Sequence, residues 1–317
     1  MKNIFISCVT KNVVEACNLI SKNKKYKVHL IVSLNQINTN KKGYVFSSYK
    51  DLSKKINKNV IFGIDHFGYN SIKSKKYNYL IKNLKNSFDN GAKFLHIDLS
   101  MMKQTDYEFF LNKIKNFLKK NMIIELGFDK DGDRSNIKTY DKFLYIKDKF
   151  NLNINYLTYQ TGTKFINNKN ISKINYKNIL KISNSIIKEN KNLKLKEHNS
   201  DTKTIKHFAK LNKNFDFNIG PELAIIENSY YYQKAKNYCP KILEQFSLII
   251  IKSNLWKKWC ISKSSKKLKI ISSMHYFFGN KIFHDIKKTV SLKEKKTIVE
   301  LDLEIQKLIS DRIFSKF

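Results

Sequence analysis

Val60-Ile61-Phe62-Gly63-Ile64-Asp65-His66 and Lys93-Phe94-Leu95-His96-Ile97-Asp98 decide the fold. Each is a short apolar run ending on residues that can bind a metal or carry a proton. Neither sustains the alternation of a half-exposed antiparallel strand, and near-continuous apolar runs of this length suit parallel strands covered on both faces. Outward from this pair, similar runs recur at Ile4–Cys8, Val28–Ser33, Met122–Glu125, Ile154–Gln160, Leu193–His198 and Phe215–Ile219, making eight. Helical patterns separate them. Tyr107, Phe110, Leu111, Ile114, Phe117 and Leu118 share one helix face, as do Tyr176, Ile179, Leu180, Ile186 and Ile187. Alternating strands and helices imply right-handed crossovers and a parallel sheet. Eight such units predict an α/β (β/α)8 TIM barrel over 1–240. A doubly wound open sheet is the rival, but no glycine-rich phosphate fingerprint follows the first run. Residues 241–317 have no Gly/Pro/Ser linker before them and predict a helical extension packed on the barrel.

Composition excludes several classes. The 317 residues are 42% hydrophobic and 13% aromatic, which is incompatible with a disordered chain. No apolar run reaches the roughly 20 residues that a membrane helix needs, and the run after Met1-Lys2-Asn3 is too short for a signal peptide. With 61 Lys+Arg against 26 Asp+Glu the formal charge is +35. Arginine occurs only at 134 and 312, and lysine is spread over the whole chain together with much Asn and Ile. That pattern fits a compositional bias better than the arginine-containing patch of a dedicated nucleic-acid site. Cys8, Cys17, Cys239 and Cys260 form no CxxC pair, and reduced thiols in a cytoplasmic protein are expected.

Barrel enzymes place their chemistry at the carboxyl ends of the strands. Here those ends carry Asp65-His66, His96 and Asp98, Glu125, Gln160, His198 with Asp201, and Asn218. His66, Glu125 and His198 form a candidate metal site: two imidazoles and a carboxylate leave a coordination position open, as a catalytic divalent ion such as Zn²⁺ requires. Asp65, adjacent to a ligand, is a candidate acid/base. Plainer roles stand beside these. His96 also fits a hydrogen-bonded core histidine, Asp98 a loop cap, and Asp201 the start of the next helix. Asp129-Lys130-Asp131-Gly132-Asp133 has the look of a calcium loop, but its glycine comes too early and Tyr140 stands where the closing glutamate belongs. It is expected to be an exposed loop.

At these residues the sequence resembles the tagatose-bisphosphate aldolase accessory-subunit family, relatives of the class II ketose-bisphosphate aldolases. Leu34-Asn35-Gln36-Ile37-Asn38 with Gly43-Tyr44 is similar to that family's SNQVN…GGY, Asp65-His66-Phe67-Gly68-Tyr69-Asn70 to DHLGPN, and His96-Ile97-Asp98-Leu99-Ser100-Met101 to HLDxSM. Glu125 falls at TEVP, Gln160-Thr161-Gly162 at QPG, His198-Asn199-Ser200-Asp201 at HSTD, and Gly220-Pro221-Glu222-Leu223 at GPAL. Trp256-Lys257-Lys258-Trp259 loosely resembles WKKYY. Each motif alone is weak, but together they keep their order at the predicted strand ends. The resemblance implies an acid/base role for Asp65 and zinc ligation by His66 and His198. Glu125 is expected as a further ligand and catalytic carboxylate, in place of the aldolases' third histidine. Asn35, Gln36, His96, Asp98, Gln160, Asp201, Asn218 and His275 are expected to contact substrate.

Departures from the family concern the substrate. Ser273-Met274-His275-Tyr276-Phe277-Phe278-Gly279 stands where the family has SDRIRYYW, and both arginines are gone. Lys196 replaces a glutamate, Lys164 another, and Asn218 a lysine. The expectation is a zinc-dependent ketose or ketose-phosphate 4-epimerase working by retro-aldol and aldol steps, or an aldolase-type lyase. The alternative is a non-catalytic subunit that stabilises a partner class II aldolase. Either form could also be a homo-oligomer.

Overall fold

The structure is a computed structural model that describes residues 2–37, 46, 48–68, 77–118, 120–171, 173–211 and 213–317. Asn38, Gly43, Tyr44, Tyr69 and Asn70 of the quoted motifs lie outside these residues. Eight parallel strands close into a barrel: β1 (Lys2–Ser7), β2 (Tyr26–Ser33), β3 (Val60–Gly68), β4 (Phe94–Asp98), β5 (Ile123–Gly127), β6 (Tyr156–Tyr159), β9 (Lys194–Glu197) and β10 (Phe215–Ile219). They follow one another around the barrel in chain order, and β10 pairs with β1. Between β6 and β9 a small antiparallel hairpin, β7 (Lys164–Ile166) and β8 (Lys169–Ile171), is inserted. The expected (β/α)8 barrel with C-terminal helices is what the chain forms.

Outside the strands pack α1 (Lys11–Ile20), α2 (Leu34–Ile37), α3 (Tyr49–Lys55), α4 (Tyr77–Asp89), α5 (Gln104–Ile114), α6 (Ile137–Phe150), α7 (Tyr176–Glu189), α8 (Ile205–Leu211) and α9 (Pro221–Tyr238). Outward-facing Ile4, Ile6, Val28, Leu30, Leu95, Ile97, Ile124 and Leu126 join one large core with the helices. The intervening positions point inward and differ in kind. Phe5 on β1 and Phe94 on β4, three strands apart around the barrel, have ring centroids 5.2 Å from each other, so both cross the barrel interior. With Ile31 and Tyr156 they form a separate small apolar cluster. Asn3, His29, Asp65, His96, Glu125, Thr158, Lys196 and Asn218 are buried polar residues on the same strands. The strands therefore do alternate, with an apolar outer face and an inner face of aromatic and polar groups.

After α9 the chain adds α10 (Pro240–Ser253), α11 (Lys266–Ser273), α12 (Lys281–Glu294) and α13 (Ile298–Phe314). α13 packs on α1 and α9, and its buried Leu301, Ile305, Ile309 and Ile313 belong to the main core. Two cations at its end, Arg312 and the fully buried Lys316, hold Glu222 in the first turn of α9, Lys316 Nζ at 2.8 Å. Among the described residues no helix is long and apolar enough to cross a membrane.

Glu227 is buried in α9 and accepts a hydrogen bond from Asn12 of α1 at 2.8 Å. Burial pushes its carboxyl up to about 7, although hydrogen bonds from Thr10 and Asn12 favour the ionised form. An unfolded glutamate titrates near 4.5, so the folded chain keeps a proton that the unfolded chain releases between those values. Stability contributed here is present at low pH and falls as pH rises through about 7. Glu227→Gln should be near-neutral at pH 4.5 and stabilising by about 3 kcal/mol at pH 8, from roughly 1.4 kcal/mol per pH unit. Urea denaturation of both proteins across this range measures the difference.

Candidate active site and metal centre

The site begins with an irregularity in the sheet. β3 and β4 pair as Gly63 with Phe94 and Ile64 with Leu95, then resume as Phe67 with Ile97 and Gly68 with Asp98. Asp65 and His66 together oppose the single His96, which makes this a β-bulge. His66 takes the left-handed backbone conformation, φ 51°, unusual for a residue with a β-carbon. Two glycines frame the bulge for a steric reason. A Cβ at Gly63 would lie 2.2 Å from the Phe94 carbonyl oxygen, and one at Gly68 would lie 2.0 Å from that of Asp98.

This geometry gathers an acid–imidazole cluster. His96 Nδ1 lies 2.7 Å from Asp65 Oδ1, His66 Nε2 3.5 Å from Asp65 Oδ2, and His66 Nδ1 2.9 Å from Asp98 Oδ2. Asp98 Oδ1 accepts the Ser100 hydroxyl at 2.6 Å. The His198 ring is 5.3 Å from that of His66 and 6.5 Å from that of His96. His66, His96, Asp98, Ser100 and His198 line a cavity of about 310 Å³ whose walls also include Met101, Asp129, Lys130, Asp131, Thr158 and Gln160, while Asp65 is buried beside His66 and His96. Burial works against ionisation of Asp65, but the charge of His66 and the hydrogen bond from His96 outweigh it and hold the carboxyl well below its ordinary range. Burial likewise opposes protonation of His66, yet Asp65 and Asp98 raise it to about 9. Burial and the charge of His66 lower His198 to about 4.

The structure departs from the expected ligand set at Glu125. Its carboxylate sits 2.5 Å from Lys196 Nζ and accepts the Thr158 hydroxyl; Glu125 and Lys196 are both fully buried. Among the described residues the group able to share an ion is Asp65, His66 and His96, each offering one ligand atom within 4.8 Å of the others. Gln160 lines the cavity as expected, with its buried Oε1 free of any hydrogen-bond partner, and Asn218 Oδ1 and His198 Nδ1 are in the same state. Asp201 is taken from the cavity by its alternative role. It accepts the backbone N–H groups of Gly220 at 3.0 Å and Glu222 at 2.9 Å, capping α9. His275 is buried against Asn228 in the extension, Nδ1 2.9 Å from its amide nitrogen, and does not line the cavity. Gln36, in α2, is turned back on the end of β2, accepting the Ser33 N–H at 2.7 Å. Asn35 lies in α2, its side chain outside the description.

The Asp129–Asp131 segment is the exposed loop expected after β5, with Lys130 and Asp131 exposed; its part in the cavity is what sequence reasoning did not assign. It forms one cavity wall, tied in by Asn199 on Asp131 and by Ser135 and Thr139 on Asp129. Its place directly after β5 was the available signal. Lys258 of the extension was also missed; its charge reaches both His66 and His275.

The chain matches no family model and no curated protein. Solved structures share its fold. A protein from Sinorhizobium meliloti described as a "probable tagatose 6 phosphate kinase" superposes over 100% of this chain and 99% of its own, with a TM-score of 0.75 at 14% identity. A fructuronate-tagaturonate epimerase from Cohnella laeviribosi covers 99% of this chain and 81% of its own, TM-score 0.61, 9% identity. A fructose-bisphosphate aldolase from Campylobacter jejuni covers 87% and 89%, TM-score 0.51, 12% identity. At such identities the likeness establishes a common fold, and the first match extends it over the C-terminal helices.

The donor chemistry fits a divalent ion. His66 is oriented by Asp98 on Nδ1, which leaves Nε2 facing Asp65, and His198 Nδ1 is a buried nitrogen without a partner. A carboxylate that fixes the far side of a ligating imidazole typically contributes 10–100-fold in metal affinity. If a divalent ion is held by His66, Asp98→Ala should weaken its binding by about that factor, measured with zinc as the probe by competition with a chelating dye, while the metal-free protein stays folded by circular dichroism.

Proposed function

We propose that this chain is a metal-dependent ketose 4-epimerase that breaks and remakes the C3–C4 bond. The observation carrying this is the convergence of His66, His96 and His198 around one cavity at the carboxyl end of the barrel, with the buried Asp65 carboxylate against two of them. His66 and His198 would hold the ion, with the Asp65 carboxylate beside them. When bound, a divalent ion supplies Lewis acidity toward a ketone oxygen and its neighbouring hydroxyl, and so offsets the negative charge developing there.

The protein's own groups do the rest. Asp65, held ionised by its two histidines, takes the proton of the C4 hydroxyl as the C3–C4 bond opens and an aldehyde forms. Asp98 and Ser100 keep His66 oriented. The cavity retains the aldehyde half; if it re-adds through its other face, the product is the 4-epimer, and Asp65 returns the proton to the new C4 alkoxide. Departure of the aldehyde would instead complete an aldol cleavage. Epimerisation is favoured here because the similar epimerase superposes more fully than the similar aldolase.

Substrate charge follows from the walls. Lys130 is accompanied in the cavity walls by Asp98, Asp129 and Asp131, a balance suited to a ketose whose far end carries no charge.

Protein purified without added metal should carry close to one divalent ion per chain by elemental analysis, and His198→Ala should lose it. Asp65→Asn should keep the ion and lose 10²–10⁴-fold in turnover, assayed for 4-epimers on a panel of ketoses, keto-acids and ketose phosphates. A metal-free wild type inactive on the whole panel would favour the non-catalytic subunit. Undiminished Asp65→Asn turnover would remove Asp65 from the mechanism.

A further inference from the structure

The cavity reverses the charge balance of the chain around it. The protein has 61 Lys+Arg against 26 Asp+Glu, yet the cavity wall sets Asp98, Asp129 and Asp131 against one lysine, Lys130. Asp98 is matched by His66 at 2.9 Å. Among the described residues the other two carboxylates are held by neutral groups. Asp129 Oδ2 accepts the hydroxyls of Ser135 at 2.5 Å and Thr139 at 2.9 Å. Asp131 Oδ1 accepts the side-chain amide of Asn199, whose nitrogen also donates to the Thr163 carbonyl at 3.1 Å. Two acceptors on that one nitrogen settle which end of the amide faces Asp131. The loop after β5 is thus tied to the segment after β9. Asp131 is held in the cavity wall at its exposed rim, with its charge reaching His198.

Hydrogen-bonding capacity decides what such a wall accepts. An ionised carboxylate only accepts, and Asp131 Oδ2 has no partner among the described residues. Gln160 stands in the same wall, only 3% exposed, and its amide oxygen also lacks a partner. A buried acceptor left in this state is costly until a ligand or water donates to it. Hydroxyl groups can donate there. A phosphate or carboxylate brings lone pairs and a like charge instead. We propose that Asp131 is a specificity residue: with Gln160 it takes the hydroxyls at the far end of an unphosphorylated ketose, and it repels the same sugar when that end carries a phosphate or carboxylate. Attraction of one ligand and rejection of its rival then come from a single group. The proposal rests on the reading of this cavity as a ketose site, but it concerns binding and so stands or falls apart from turnover.

The test is direct binding to the full chain as purified, by ligand-observed NMR titration with D-fructose, D-tagatose and their 6-phosphates. The wild type should bind each free sugar more tightly than its phosphate. A hydrogen bond to a charged group is worth roughly 10–100-fold, and solvent screening at an exposed carboxylate places the expected preference near the lower end, about tenfold. In Asp131→Asn the amide oxygen stays with Asn199, so an NH₂ replaces the free carboxylate oxygen. This variant should weaken the free sugars and tighten the phosphates, cancelling or reversing the preference. Asp131→Ala should lose the preference without gaining affinity for phosphate. Asp89→Asn makes the same charge change at the end of α4, at the opposite end of the barrel, and should leave the preference intact. Circular dichroism checks that each variant folds. Phosphates bound as tightly as the free sugars by the wild type, or a preference unchanged in Asp131→Asn, would overturn the proposal even if the sugars are epimerised. The expected binding without turnover of any sugar would fail only the functional reading, and a wild type that binds none of the four would overturn both.

Discussion

The site depends on how closely β3 approaches β4. Backbones at Gly63 and Gly68 sit where any side chain would collide with a carbonyl oxygen of β4. Between these two contacts one extra residue must be accommodated, and the bulge results. In a regular strand successive side chains point to opposite faces, so Asp65 and His66 could not both join the same imidazole cluster. The bulge, with His66 in the left-handed region, removes that restriction. One residue of the pair stays buried beside His96 while the other opens to the mouth, its side chain 41% exposed. A strained backbone at a site of converging ionisable groups is a known association, and here the strain has an identifiable geometric product.

A second consequence is the polarity of the barrel interior. A barrel of this size is ordinarily filled with bulky apolar side chains; this one holds an aromatic plug and charged groups above and below it. Below, Asp216 accepts from Asn3 at 2.9 Å and Tyr156 at 2.8 Å. Above, Glu125 meets Lys196, and a fully buried ion pair is costly to desolvate and seldom a net source of stability. The faces of Phe5 and Phe94 beside the ammonium offset part of the cost through cation–π attraction.

Much of the barrel was legible because each β/α unit is written locally: an apolar run, a helical period, a polar residue at the strand's end. Asp65, His66, His96, Asp98 and His198 were legible for the same reason, since strand ends meet in any such barrel. Glu125 was not, because its partner Lys196 lies on a strand two places away around the barrel, and only closure shows which inward side chains meet. Asp201 was ambiguous for a local reason: a carboxylate before a Gly-Pro helix start serves equally as cap or ligand, and two backbone N–H groups claimed it. The apparent absence of alternation came from inward Phe5, Ile31 and Phe94, which match the outward apolar residues in hydropathy while facing the other way.

The extension acts on the site through the loops it holds. Glu222 accepts the Thr202 N–H at 2.7 Å, is gripped by Arg312 and Lys316, and follows Asp201 at the start of α9. Lys316 also reaches the carbonyl oxygens of Ser200 and Lys203, both at 3.3 Å. The segment following His198 is thereby tied to the last turn of α13. Beneath it Glu197, fully buried, is bonded by Thr161, Ser200, Lys203 and His207. His198 thus sits between two networks that hold the backbone on either side of it, and its buried Nδ1 has no hydrogen-bond partner. That separates His198 from a core histidine with a hydrogen bond to spare, and it gives the C-terminal helices a part in fixing one wall of the site.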